Sequence, residues 1–531
     1  HLYMQKFNIP RSHTGYFTEQ QLMLASDQEK VLPFIQESFS LEHFTHQIET
    51  KKNSFGAHTR AVLKAYWEEL YSNKKQPAAV RSNIENISHS NCFTLTTGHQ
   101  LNVFTGPVFM IYKILHIIRL SEELKKEYPD CEFVPVFWMA TEDHDYEEIS
   151  SVELFGRDLK WETSQTGAVG RFETEGLEAL KEEIRTSFSR VDTVQIDAFL
   201  SAYTGANLTK ATFSLIHELF SEYGLLCIDG DHALLKREFV PIVHKELNEE
   251  FSYKAVVKTN ERLIHEGWKV QATPREVNLF YLTVNARERI LKIEDGFYIE
   301  GIGKRSLNEL LEEASQYPER FSPNVILRPL FQELLLPNLC YVGGAGEISY
   351  WLQLKGVFDH VSVPYPLIQV RTSILMIDSS TSKKMEKYGI ALDDMFQDVH
   401  HLKEKYLAVE ASNEVDFTQI DEHLELLRGS ITAHIMSCDE GLSGYAEAEG
   451  VRLEKAIKAI KDKITKTVKQ RHDTALRAIE QIHERIVPKN SMQERSVSVF
   501  SLAADGDLKG FIERVYASID PFDPDFVVLR S

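Results

Sequence analysis

Hydrophobic and polar positions change period several times along the chain. Residues 1 to about 90 read as mostly helical. Within Ala57–Tyr71, Ala61, Leu63, Tyr66, Trp67 and Leu70 recur at helical spacing, and Lys74-Lys75-Gln76-Pro77 ends the stretch. Residues 91–97 read as a strand, 107 to about 126 as a helix with Pro107 in its first turn, and 132–140 as a second strand. This βαβ order predicts a parallel sheet with a right-handed crossover. A helix around 211–223 leads into a further central strand at 224–229, and 361–378 supplies a final strand.

Two charged excursions interrupt this core, at about 150–210 and 240–325. The second is β-rich between Lys269 and Glu300. Beyond 378 the pattern becomes helical and polar. Leu453, Ile457, Ile460, Ile464, Val468, Ala475, Ile479, Ile482 and Ile486 follow spacings near three and four and stop at Pro488. That predicts one coiled-coil helix of about 36 residues, roughly 54 Å long. Ile420, Leu424, Leu427, Ile431 and Ile435 can form an antiparallel partner, and a second subunit can add to it. The expected organisation is therefore a helical segment over 1–90, a core over 91–378, a helical domain over 379–490 and a tail over 491–531 that folds back on the core.

The chain has 531 residues and a net charge of −20. Its length calls for several structural units. Its acidity argues against nucleic-acid or anionic-membrane partners, although a local basic pocket can still hold a small anion. No apolar run reaches the ~20 residues of a membrane span, and no leader pattern is visible. The five cysteines are widely spaced without a CxxC pair, as in reduced thiols of a cytoplasmic protein. Cys92 and Cys340 read as strand-core thiols, so catalytic zinc is not expected.

Candidate chemistry gathers where strands break into polar residues, because open α/β sheets bind ligands at the carboxyl ends of their strands. The first such end is Thr97-Gly98-His99-Gln100, leading to Phe104-Thr105-Gly106-Pro107. Gly98 and Gly106 permit close backbone approach, and Thr105 lies near the expected helix cap. His99 can donate to an anion or move a proton. The same residues also fit a turn in which His99 satisfies a buried carbonyl. The second end is Phe137-Trp138-Met139-Ala140, followed by Glu142-Asp143-His144-Asp145. Asp143, His144 and Asp145 can orient an amine or sugar hydroxyls, or hold Mg²⁺. An acidic helix start explains the same run.

Arg328 and Gln332 share a helix face and can clamp a carboxylate, unless Arg328 is consumed by Glu333. A Gly-rich turn brings together Gly343, Gly344, Gly346, Glu347, Tyr350 and Trp351. It is not a P-loop, since no Gly-Lys-Ser/Thr follows. Arg371, after the last strand, is a further anion-binding candidate.

Taken together, these segments resemble the bacillithiol-biosynthesis cysteine-adding family, BshC. The resemblance rests on Thr97-Gly98-His99-Gln100 with Phe104-Thr105-Gly106-Pro107, and on Pro135 to Ala140 with Glu142-Asp143-His144-Asp145. Leu327-Arg328-Pro329 and Tyr341 to Ile348 add to it, and it runs over nearly the whole chain. It implies a Rossmann-like core akin to class I aminoacyl-tRNA synthetases, split by connecting insertions, and a coiled-coil domain used for homodimerisation. It further implies amide formation between the cysteine carboxyl and the glucosamine amine of glucosaminyl-malate, with ATP as the expected activator. In that scheme His99 and Gln100 hold nucleotide or developing charge. Asp143 and His144 orient the amine and take its proton, and Arg328 and Arg371 face the malate carboxylates. Of the synthetase His-x-Gly-His signature only Gly98-His99 is present, and the Lys-Met-Ser-Lys-Ser loop is only echoed by Ser382-Lys383-Lys384-Met385. Another ATP-dependent ligase or nucleotidyltransferase, or a non-catalytic coiled-coil scaffold, would share many of these features.

Overall fold

A computed structural model describes residues 4–411, 414 and 416–531. The chain forms two compact units. One comprises Lys6–Leu375 with Glu494–Leu529, and the other is built on Met376–Gln493 with the extreme chain ends.

The first unit is organised by a five-stranded sheet. Its strands are β1 (Cys92–His99), β2 (Glu132–Met139), β3 (Leu226–Asp229), β4 (Asn338–Gly343) and β5 (Leu367–Val370). The spatial order is β5-β4-β1-β2-β3, and every neighbouring pair is parallel. β1, β2 and β4 are buried along almost their whole length, as expected for a sheet covered on both faces. The order has the 3-2-1-4-5 sense of a Rossmann-like sheet. Its direction reverses between β1 and β4, and the crevice at that reversal is where such sheets bind ligands.

Helix α1 (Phe109–Glu127) connects β1 to β2. It starts two residues after Pro107, because the chain first makes a tight turn with left-handed backbone at Phe104, Thr105 and Gly106. A Cβ on Gly106 would come within 2.5 Å of the Asn102 side chain, so only glycine fits there. The expected final strand over 361–378 is in fact two short strands, β5 and Ile374–Ile377. The chain leaves the parallel sheet at Arg371, whose N–H donates to the Gly343 carbonyl and whose side chain turns inward.

Both excursions are inserted substructures. The first carries the hairpin Ser151–Leu154/Arg157–Lys160 and three helices. The second carries an antiparallel five-stranded sheet that includes Leu279–Leu282, Arg287–Ile293 and Phe321–Pro323.

In the other unit, α4 (Thr418–Cys438) and α5 (Ser443–Arg471) run antiparallel, as the ion pairs Asp421–Lys461 and Arg428–Glu454 require. The single long helix expected up to Pro488 is divided. It breaks at His472 and resumes as α6 (Asp473–Ile486). The apolar stripe is interrupted there by Arg471-His472-Asp473, and the His472 ring packs edge-on against Tyr406. Leu407, Ala411 and Val468 form a small core beside this break.

One buried histidine ties α1 to the end of β5. His116 Nδ1 accepts the Thr372 N–H at 3.1 Å, and Nε2 lies 3.0 Å from Gln369 Oε1. Burial pushes its pKa down to about 4. The unfolded chain therefore binds this proton near pH 6.5, while the folded chain resists it until about pH 4. Stability is complete above about pH 6.5 and falls as the pH drops toward 4, by about 1 kcal/mol per pH unit for this group. Thermal denaturation should show His116→Gln less stable than the parent at pH 7 but losing less between pH 7 and pH 5.

Candidate active site

A cavity of about 880 Å³ opens at the carboxyl ends of β1, β2 and β4, at the reversal point of the sheet. Its wall includes ten of the residues expected from sequence: Gly98, His99, Gln100, Asp143, Arg328, Gly344, Gly346, Glu347, Tyr350 and Arg371.

The centre of the site is β1. The His99 ring sits edge-on to Phe109, with centroids 4.9 Å apart, and its buried Nε2 meets no protein partner. Burial, reinforced by the charges of Lys113 and Arg371, holds its pKa well below the ordinary histidine value, so the ring is neutral. Gln100 Nε2 donates to Asp143 Oδ2 at 2.7 Å, which leaves the buried Gln100 Oε1 unpartnered. Burial pushes the Asp143 carboxyl up. Hydrogen bonding from His144, the Arg287 charge and the Gln100 amide outweigh this and hold it well below the usual carboxylate range. Arg287 lies 3.8 Å from Asp143 and donates to His144 Nδ1 at 3.1 Å.

The β4 side is cationic. Helix α2 (Arg328–Leu335) begins at Arg328, whose guanidinium lies 5.8 Å from the Trp138 ring and 5.4 Å from the Tyr341 ring. Its Nη1 donates to Gln332 Oε1 at 3.1 Å, while Nη2 is buried without a partner. The alternative Arg328–Glu333 pair is not formed, because Glu333 pairs with buried Lys51 at 3.0 Å. Arg371 donates to Glu494 at 2.7 Å, and its Nε is likewise unpartnered. Helix α3 (Ala345–Trp351) follows the Gly-rich turn and carries Glu347. Glu347 lies over Gly343, where an added Cβ would meet its Oε2 at 2.9 Å.

Eight expected residues do not line the cavity. Thr97 donates to the Val342 carbonyl and joins β1 to β4. Thr105 does not cap α1, which has no side-chain cap, because the left-handed turn carries it away; Gly106 makes that turn. His144 is exposed beside Phe280, and Asp145 accepts the Glu148 N–H. Gln332 supports Arg328, Gly343 underlies Glu347, and Trp351 stacks on Tyr341 with centroids 4.6 Å apart. The run Glu142-Asp143-His144-Asp145 therefore diverges instead of forming one acidic cluster: Glu142 pairs with buried Lys236 while Asp143 faces Arg287.

Several wall residues were not expected from sequence. Lys113, on α1, donates to the Gly98 carbonyl at 2.7 Å and to Glu347 at 2.6 Å. Its signal is a lysine inside the apolar run Phe109 to Ile118, three residues before His116. Arg275, Arg287 and Arg289 come from the second insertion, and Arg495 from the segment after the helical unit. Only the alternation of Arg287 and Arg289 on one strand hinted at a common face. In a chain of net charge −20, the wall carries seven cationic side chains against four carboxylates, which suits anionic ligands.

The chain matches the family model described as "Bacillithiol biosynthesis BshC, N-terminal Rossmann-like domain" over residues 5–372, and the model of the BshC C-terminal coiled-coil domain over 374–531. It is 38% identical over 490 residues to a protein of Flavobacterium johnsoniae, covering 91% of this chain and 92% of that one. It is 33% identical over 529 residues to a protein of Christiangramia forsetii, covering 98% of each. A Salinibacter ruber protein is 30% identical over 435 residues, covering 79% of each. All three are named "Putative cysteine ligase BshC". The chain belongs to the BshC family, with its Rossmann-like and coiled-coil domains.

The pair of buried Lys113 with partly buried Glu347 generates a stability prediction. Removing one partner leaves the other charge uncompensated, which costs about 1–3 kcal/mol here, below the range of a fully buried pair because Glu347 is 23% exposed. Lys113→Met should lower chemical-denaturation stability by roughly that amount, and adding Glu347→Gln should recover part of it. Strictly additive losses in the double mutant would show that the two residues do not act as a pair.

Proposed function

We propose that the chain is an amide-forming carbon–nitrogen ligase that joins the carboxyl of L-cysteine to the glucosamine amine of glucosaminyl-malate, the last step of bacillithiol formation. Family membership supports the cysteine chemistry. The observation that carries the reading is the set of buried, unpartnered polar atoms on one cavity: His99 Nε2, Gln100 Oε1, Asn102 Oδ1, Arg328 Nη2 and Arg371 Nε. Buried polar atoms are normally satisfied, so five such atoms around one space favour a ligand site.

A free carboxylate is not an electrophile, so the cysteine carboxyl must be activated, and we assign ATP to that role. The sugar amine then attacks the activated carbonyl, the carbon–oxygen bond to the leaving group breaks, and the nitrogen loses a proton. Gln100 Oε1 accepts an N–H of the amine, with Asp143 fixing the amide and adding a negative charge beside it. Asp143 is too acidic to be an effective base. The neutral His99 ring suits the proton transfer, and Arg328 and Arg371 suit charge developing on oxygen.

The same reading places the enzyme in the cytoplasm as a homodimer joined through its coiled coil. No helix among the described residues is long and apolar enough to cross a membrane, and the five cysteines are free. Leu426 on α4 and Ile460 on α5 are 69% and 54% exposed, and we assign them to the subunit contact. Leu426→Glu with Ile460→Glu should convert the species seen by analytical ultracentrifugation from dimer to monomer; a parent already monomeric at micromolar concentration would refute the assignment.

The activity is tested by incubating the chain with L-cysteine, glucosaminyl-malate and ATP and detecting the coupled thiol by mass spectrometry. His99→Ala and Asp143→Ala should each slow turnover by about 10²-fold or more, with circular dichroism unchanged. Parent-like turnover in both variants would remove these residues from the mechanism.

A further inference from the structure

The cations of the cavity wall differ in how many donors they have left. Around β4, each is largely consumed. Arg328 gives Nη1 to Gln332, Arg371 gives Nη2 to Glu494, and Lys113 is held by Glu347 and the Gly98 carbonyl. What remains there is one guanidinium nitrogen each from Arg328 and Arg371, beside the neutral His99 ring. Two such nitrogens suit one compact oxyanion.

The second insertion presents a different arrangement. Arg287 is consumed by Ser322, the Pro323 carbonyl, His144 and Asp143. Arg289, two residues along the same strand and paired in register with Phe280, has no hydrogen bond or ion pair on its guanidinium among the described residues. Arg275 has none either, yet its backbone is locked. Its N–H donates to Asn278 Oδ1 at 3.0 Å, and Asn278 Nδ2 donates back to its carbonyl at 2.9 Å. Asn278 is itself fully buried, held by Glu246 and Ser252. Arg275 and Arg289 are both exposed and line one cavity, so two complete guanidinium forks are open to a ligand there, that of Arg275 on a braced backbone. Each fork matches one carboxylate bidentately.

We propose that Arg275 and Arg289 form a dicarboxylate subsite, separate from the compact oxyanion subsite of Arg328 and Arg371. Gln100 and Asp143, in the loops that follow β1 and β2, belong to neither arginine set and mark the amine position. The proposal rests on the ligase reading: the dicarboxylate is the malyl end of the acceptor, and the compact oxyanion is the phosphoryl group of the activated carboxyl.

The test is isothermal titration calorimetry on the full chain with L-malate and inorganic phosphate as probes, each alone and each into protein saturated with the other. Both should bind, and neither should displace the other. Arg275→Ala and Arg289→Ala should each weaken malate about tenfold, and the pair about a hundredfold, with phosphate unchanged. Arg275→Lys/Arg289→Lys should restore only part of the malate affinity, because charge returns without the fork. Mutual displacement, equal loss of phosphate binding in the double variant, or no malate binding by the parent would each overturn the proposal. The two readings fail separately. If coupling occurs but the double variant keeps its KM for glucosaminyl-malate, the subsite falls and the ligase stands. If malate binding depends on these arginines but no coupling occurs, the reverse holds.

Discussion

The site depends on one ion pair between a buried lysine and a partly buried glutamate. Lys113 reaches from α1 to the last peptide of β1 and to Glu347 at the start of α3, so a single ammonium joins three elements at the point where the sheet reverses. Glu347 also accepts the Tyr341 hydroxyl and the Gly344 N–H. Burial works against both charges, and each is tolerated because the other is present. A largely buried pair of this kind contributes little net stability relative to a well-packed apolar pair, but it penalises every arrangement in which the partners separate. Here the penalised arrangements are those that open the crevice between β1 and β4.

From that constraint the electrostatics of the cavity follow. Burial keeps the His99 ring from gaining a proton, and the charge of Lys113 fixed beside it adds to that, so the ring is neutral. On the opposite flank the His144 hydrogen bond and the Arg287 charge hold Asp143 as an anion. The two titratable groups are driven apart by their surroundings, which gives neighbouring strand ends opposite protonation behaviour.

Local signals in the sequence were sufficient for the sheet and for the strand-end residues of the site. β1, β2 and β4 each read as a buried run ending in Gly, His or acid, and His99, Gln100, Asp143 and Glu347 lie where that rule puts them. What the sequence could not reveal is side-chain direction after a strand ends. Asp143 and His144 are adjacent, but only Asp143 turns into the cavity, because the arginine that sorts them comes from position 287. The break at His472 was missed for a related reason: apolar spacing continues on both sides of it, and the polar triplet between them matters only once Tyr406 packs there.

The residues hardest to see from sequence are those supplied by insertions. Arg275, Arg289 and Arg495 lie far along the chain from β1, and none sits in a motif. Their contribution emerges only when the wall is compared with the whole chain: an acidic protein has gathered cations at one place. Holding like charges together is unfavourable unless a partner offsets them. For Arg328, Arg371 and Lys113 the protein supplies that partner internally, through Gln332, Glu494 and Glu347. For Arg275 and Arg289 it does not, and it spends a buried asparagine network to hold one of them in position. The Rossmann-like core accordingly supplies the partnered cations of the wall, and the insertion adds the open ones.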